Sequence, residues 1–124
     1  MKIALAQINP TVGDFTGNLE RIVAASRRAA ALGARLTVFS ELVICGYPPA
    51  DFLEKPSFLA RCRSAVDELA GATRDLPTAV LAAWPFRRRV RRANRGPQQQ
   101  VLVAGVANRG PRQQALVAGV VNRP

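Results

Sequence analysis

Residues 34–48 read ARLTVFSELVICGYP, and the order of residue types in this stretch decides the fold class. Leu36–Phe39 (LTVF) is a short run dominated by apolar, β-branched and aromatic residues, which predicts a buried strand. Glu41 follows after Ser40, and then a loop, VICGYPPADF, dense in Gly and Pro. A carboxylate just past the end of a buried strand occupies a favoured place, because open α/β sheets build their sites outside the carboxyl ends of the strands. Val38, Phe39, Leu42 and Val43 flank Glu41. An apolar setting of that kind suits a carboxylate to general-base work. On pattern alone, a solvated loop acid is the commoner reading of such a glutamate.

Upstream, Lys2–Ile8 (KIALAQI) reads as a strand buried on both faces, ending at Asn9-Pro10. Pro10 and Gly13-Asp14 break the chain. Asn18 is placed to cap a helix whose apolar residues Leu19, Ile22, Val23, Ala29 and Ala30 share a face. Gly33 suits the position just past that helix, where a left-handed backbone is common. With Leu36–Phe39 this makes a β-α-β unit, almost always a right-handed crossover between parallel strands. Downstream, Phe58, Leu59, Cys62, Val66 and Leu69 predict a second helix over Ser57–Thr73. Pro77 ends the connection and Thr78–Ala83 (TAVLAA) is a third strand. The segment is β-α-β-α-β, an α/β pattern.

The net charge of +10 over 124 residues conceals a split. Residues 1–84 carry nine basic groups against all eight acids, whereas 85–124 carry nine Arg and no acid. Such a division signals a nucleic-acid or membrane contact, or a tail never selected to fold. From Arg87 onward Ala93–Val106 (ANRGPQQQVLVAGV) recurs with two mismatches as Ala107–Val120 (ANRGPRQQALVAGV). The LVAGV pieces can pair as short strands between NRGP turns, but the composition favours disorder. The same Arg, Ala, Gly and Pro bias is what a shifted frame of GC-rich DNA produces. The reading is therefore a folded unit over 1–85 and an Arg-rich repeat tail over 86–124.

The sequence has no His, which removes Ser-His-Asp and Cys-His arrangements and every zinc site that needs imidazole. Cys45 and Cys62 form no disulfide framework and no metal spacing. No apolar run is long enough to cross a bilayer, so neither a membrane partner nor a metal is expected, and a cytoplasmic setting is.

MKIALAQINPTVGDFTGN at 1–18, GARLTVFSEL at 33–42 and CGYPPADF at 45–52 resemble, in order and spacing, the opening blocks of nitrilase-superfamily carbon-nitrogen hydrolases. The first and third blocks look most like the glutamine amidase domain of bacterial glutamine-dependent NAD synthetases. The resemblance covers residues 1 to about 85 and implies part of an αββα sandwich. It also implies a Glu-Lys-Cys catalytic set: a cysteine thiolate attacks the amide carbon of glutamine, the glutamate moves the proton, and the lysine stabilises the tetrahedral intermediate. Glu41 falls on the family's glutamate. Ser40 departs from the proline usual before it. The amidase segment would need no cofactor, and ATP and the NAD precursor would belong to a separate synthetase domain.

The family's lysine and cysteine lie further along than this resemblance extends. Lys55 reads as a solvated helix-entry residue and Cys62 as a small buried hydrophobe. Cys45 is close to Glu41, but its block matches the loop after the glutamate and not the nucleophile strand, which favours a structural role. Tyr47 either lines a substrate pocket or packs within its loop. The expectation is a truncated amidase segment, inactive alone, whose family substrate is glutamine and whose sheet lacks the second half of the sandwich. The alternative is a basic-tailed protein that binds nucleic acid or docks on a partner, with non-specific anionic contacts through the Arg-rich tail.

Overall fold

The computed structural model describes residues 1–85 and the backbone of 86 and of 98–104. Its elements are β1 (Ile3–Ala6), α1 (Phe15–Ala31), β2 (Leu36–Phe39), a 3₁₀ turn (Ala50–Glu54), α2 (Pro56–Thr73), β3 (Ala79–Phe86) and β4 (Gln98–Ala104). They form a sheet of order β1-β2-β3-β4. The first three strands are parallel and in register, Ile3 beside Leu36 beside Ala79 and Leu5 beside Val38 beside Leu81. β4 runs antiparallel to β3, with Val80 opposite Ala104 and Phe86 opposite Gln98.

Two crossovers of the same hand that step the same way along a sheet leave both helices on one face. α1 and α2 accordingly pack on each other and on that face. Strand alternation then sorts the side chains. Thr37, Phe39, Val80, Ala82 and Trp84 are buried beneath the helices, against Ile22, Phe58, Cys62, Ala65 and Leu69. Fully burying one residue such as Leu69 contributes roughly 1.5–3 kcal/mol. The opposite face holds Ile3, Leu5, Leu36, Val38, Ala79 and Leu81. There Leu5 is 82% exposed and Ile3 is 49% exposed, while Leu36, Val38 and Leu81 are half-buried. β1 is therefore not buried on both faces as its composition suggests. It is an edge strand, and among the described residues nothing covers its outer side.

α1 begins one turn earlier than Asn18 would place it. Asp14 is the cap, its carboxylate accepting from the Gly17 N–H at 3.0 Å. The helix ends as Gly33 suggests. Gly33 has φ +79°, its N–H donates to Ala30 O at 2.9 Å, and the next N–H, of Ala34, donates to Ala29 O at 2.9 Å. This paired closure satisfies two otherwise orphaned carbonyls. α2 starts with Pro56 in its first turn, where a missing N–H costs nothing. At their N-terminal ends the helices are joined by rings: Phe15 and Phe58 lie 5.3 Å apart and tilted, and Phe52 stacks on Phe58 at 5.3 Å.

β3 runs three residues beyond the stretch the sequence suggests, through Pro85. The proline is tolerated because β2 pairs with β3 only as far as Leu81, so no β2 carbonyl waits for its missing N–H. β4 takes the first QQQVLVA of the repeat into the sheet. The remainder of the Arg-rich segment, and the disorder expected for it, lie outside the described residues. No helix among the described residues is long and apolar enough to cross a membrane.

Candidate functional site at the carboxyl edge of the sheet

Because β1 and β2 are parallel, the chain leaves both at the same edge of the sheet. The loop after β1 and the turn after β2 are fastened to each other there. The Gly13 N–H donates to Cys45 O at 2.9 Å. Asn18 is wholly buried between the two segments. Its Oδ1 accepts from the Thr11 N–H at 2.8 Å, and its Nδ2 donates to Thr11 O at 2.8 Å and to Ile44 O at 3.2 Å. Arg21 adds a hydrogen bond to the same Oδ1 at 3.1 Å. A side-chain amide is the natural bridge here because it carries both donor and acceptor. Gly46 makes the closest approach. With φ +86°, its missing Cβ would stand 2.5 Å from Val12 N and 2.6 Å from Thr11 C.

Glu41 stands two residues past the end of β2, at the start of this clamped turn. The residue after it, Leu42, has φ +56°, a left-handed backbone that is costly for a side chain of that size. Leu42 is held there by burial, at 2% exposed, and by its carbonyl accepting from the Gly46 N–H at 2.8 Å. Leu42, Val43, Ile44 and Cys45 are all buried, so the turn is rooted in the core. Glu41 is exposed. The apolar enclosure suggested by its sequence neighbours is thus not formed by the described residues: Phe39, Leu42 and Val43 are buried in the core, Val38 lies half-buried on the far face of the sheet, and Glu41 is exposed.

The remaining candidates separate. Lys55 sits at the N-terminus of α2, as expected, with Nζ 5.0 Å over the Phe52 ring. Lys2 donates to Leu32 O at 2.6 Å, just before β1, at the opposite edge of the sheet from Glu41. Tyr47 is 66% exposed, so it does not pack within its loop. Cys45 and Cys62 are both free and both wholly buried in the core cluster. A hydrogen bond from the Cys62 thiol holds the Cys45 thiol below the usual range against the opposing effect of burial. That contact, with burial, pushes the Cys62 thiol well up. A cavity of about 480 Å³ lies between α1 and α2, lined by Leu19, Val23, Glu68 and Leu69 among others. It opens on the helical layer and none of its lining residues belongs to the Glu41 turn. Among the described residues no cluster of three or more His, Cys, Asp or Glu could hold a metal ion.

Sequence reasoning places Glu41, Lys55 and Cys62 correctly in the fold and misses the bridging role of Asn18. The available signal was the position of Asn18 at the end of the first family block, but a bridge to Ile44 spans 26 residues and no local pattern reports it.

Comparison with known proteins agrees with this arrangement. Residues 2–115 match the carbon-nitrogen hydrolase family. The glutamine-dependent NAD(+) synthetase of Thermotoga maritima is 44% identical over 84 residues, 68% of this chain but only 15% of the relative's length. The structure of the glutamine-dependent NAD+ synthetase of Acinetobacter baumannii superimposes on 98% of this chain and 20% of its own, with a TM-score of 0.73 and 24% identity. An amidase from Nesterenkonia sp. superimposes on 84% of this chain and 38% of its own, with a TM-score of 0.63 and 25% identity. The chain therefore spans about 15% of the length of the curated relative it matches. With its family signature spread over nearly all of its length and its half-sandwich in place, the chain belongs to the carbon-nitrogen hydrolase family.

Proposed function

We propose that this chain supplies the glutamate-bearing part of an amide-hydrolysing site, with Glu41 as the group that takes and returns the proton and glutamine as the amide. The observation that carries this reading is the placement of Glu41: exposed, at the carboxyl edge of a parallel sheet, on a turn rooted in the core and clamped to the neighbouring loop by Asn18 and Gly46. A general base must be accessible to its substrate and held in a fixed direction. The likeness to glutamine-dependent NAD synthetases supports glutamine as the substrate class. The amidase from Nesterenkonia, whose active-site cysteine carries a covalent acetamide group in one of its structures, supports thiol chemistry on amides.

Neither cysteine of this sequence is placed to act as that nucleophile. Cys45 Sγ is wholly buried and directed to Leu42 O at 3.7 Å and Gly46 O at 3.5 Å, and Cys62 is buried on α2. Without a nucleophile, a lone carboxylate cannot carry out acyl transfer. The reaction requires no cofactor at Glu41, since the chemistry is proton transfer and nucleophilic attack. Reading the chain as a basic-tailed nucleic-acid-binding or docking protein has no support from the family or its relatives.

The test has two arms. The purified chain, its Glu41→Gln form and its Cys45→Ala form are assayed for glutamate release from glutamine, and none is expected to exceed the blank. Residues 1–84 are also exchanged for the matching segment of the Thermotoga maritima synthetase. The chimaera is expected to hydrolyse glutamine, to lose that activity by at least a hundredfold on Glu41→Gln, and to keep most of it on Cys45→Ala, in line with the roughly 10²–10⁴-fold effect of a general base. Activity in the chain alone that Cys45→Ala abolishes would make Cys45 the nucleophile and overturn the assignment.

A further inference from the structure

β3 pairs with β2 on one side and with β4 on the other, which leaves β4 at the end of the sheet with its outer side unpaired among the described residues. The register of β4 on β3 runs without interruption from Gln98 opposite Phe86 to Ala104 opposite Val80, so no bulge turns this edge aside. The strand reads QQQVLVA and holds no charged residue, no Pro and no Gly, although Arg, Gly and Pro crowd the sequence on either side of it. Charges, prolines and bulges are the devices that protect the edges of natural sheets, and β4 has none of them. The other edge strand, β1, is only four residues long and is preceded by Lys2. Strand pairing also carries one apolar row across the whole sheet, Leu5 beside Val38 beside Leu81 beside Val103, and that row ends at the open edge of β4.

We propose that the open edge of β4 is an association surface whose partner is β4 of a second copy of this chain, the two strands running antiparallel about a twofold axis at Leu102. In that register Leu102 stands opposite its own counterpart, Val101 opposite Val103 of the second copy, and Gln100 opposite Ala104 of the second copy. Cross-strand pairs of β-branched residues of this kind are favourable. Val103 shares a row with Leu81, so the apolar row of one sheet passes at the edge into that of the next. The backbone N–H and C=O groups on the outer side of β4 supply the hydrogen bonds. A twofold pairing closes on itself, because each copy spends its one β4 edge and the joined sheet ends in a short β1 on both sides. The chain offers the same strand a second time in sequence, RQQALVA at 112–118. Paired back across the intervening GVANRGP, it would set Gln113 opposite Val103 and Gln114 opposite Leu102, polar against apolar, so a second copy of β4 is the better match. The association makes no use of Glu41.

The test follows the full chain by sedimentation velocity over a concentration series. The unsubstituted chain is expected to pass from one chain to two per particle as the concentration rises. Val101→Lys with Val103→Lys is expected to hold it at one, because each lysine then meets a lysine of the second copy, and Val101→Glu with Val103→Glu is expected to do the same. Mixed in equal amounts, these two variants are expected to recover pairing as a mixed dimer. Val101→Lys with Val103→Glu is expected to pair with itself, which a register centred on Val101 or Val103 would not allow. A full chain that stays monomeric at every concentration would overturn the proposal and leave the edge to residues 112–118 or to no occupant. Association that survives the two lysine substitutions would also overturn it and place the contact on another surface. A separate arm decides the matter where the charged variants do not fold. Leu102→Cys is expected to cross-link the chain into disulfide dimers under mild oxidation and Gln98→Cys is not, the native Cys45 and Cys62 being buried. Equal cross-linking at the two positions, or none at Leu102→Cys, would count against the twofold register and overturn it.

Discussion

Asn18 and Gly46 do for the Glu41 turn what no residue inside that turn can do for itself. The turn holds Leu42 in a left-handed conformation that costs of order 1–3 kcal/mol, and the surroundings must over-determine it for the conformation to persist. Asn18→Ala removes the partners of Thr11 N, Thr11 O and Ile44 O in a buried place. A loss on the order of 3 kcal/mol in urea unfolding is expected, since each orphaned buried group costs about 1–3 kcal/mol. Gly46→Ala would drive a methyl group onto the Val12 backbone at a positive φ, and a loss of more than about 2 kcal/mol is expected from the same measurement. Glu41→Gln should leave the unfolding midpoint within about 0.5 kcal/mol of the original, because the side chain is exposed and has no described partner. A large destabilisation by Glu41→Gln would show that the carboxylate is structural and count against its catalytic assignment. Glu41 was legible in the sequence because its position follows from the end of a strand. Asn18 was not, because its partners come from two loops that meet only when β1 and β2 pair.

At the level of elements, the two faces of the sheet predict opposite behaviour from residues of the same type. Leu69 is wholly buried between α2 and β3, and Leu5 is 82% exposed on the far face of β1. Leu69→Ala should cost about 2–5 kcal/mol, the range for a leucine cut from a packed core. Leu5→Lys should change stability by no more than about 0.5 kcal/mol. Equal effects would mean that the far face is covered. Helix positions were readable because a 3.6-residue period is a local property: α2 was placed within one residue, and Gly33 marked the end of α1 through its positive φ. The start of α1 was misplaced because Asp14 and Asn18 are both competent caps, and the choice went to the one not needed for a bridge. β3 outran its expected end because β4 offers a partner beyond the reach of β2. The ion pairs on the helices, Arg61 with Glu68 at 2.8 Å and Arg63 with Asp67 at 3.8 Å, are exposed and contribute little to any of this.

Across the whole molecule, among the described residues, a sheet of three parallel strands and one antiparallel strand carries helices on a single face, which is incomplete by the usual logic of parallel sheets, which bury both sides. Ile3, Leu5, Leu36, Val38 and Leu81 share the far face. Exposed apolar surface of this kind binds hydrophobic dyes, so the purified chain should enhance their fluorescence and the Ile3→Lys, Leu5→Lys double variant should do so much less. No change between the two would place the dye elsewhere, with the groove between α1 and α2 the next candidate. The sequence by itself determined the order and type of the elements from β1 to β3, the family and the position of Glu41, whereas β4 formed where the composition favoured disorder. Those follow from hydrophobic period, turn residues and ordered motif blocks, all of which are local along the chain. Only the tertiary structure decided which side of the sheet is open among the described residues, which cap α1 uses and how the Glu41 turn is clamped. The physical reason is that strand alternation is silent about which face a helix will cover. That outcome depends on the direction in which successive crossovers step along the sheet, and contacts between distant loops exist only once the strands have paired.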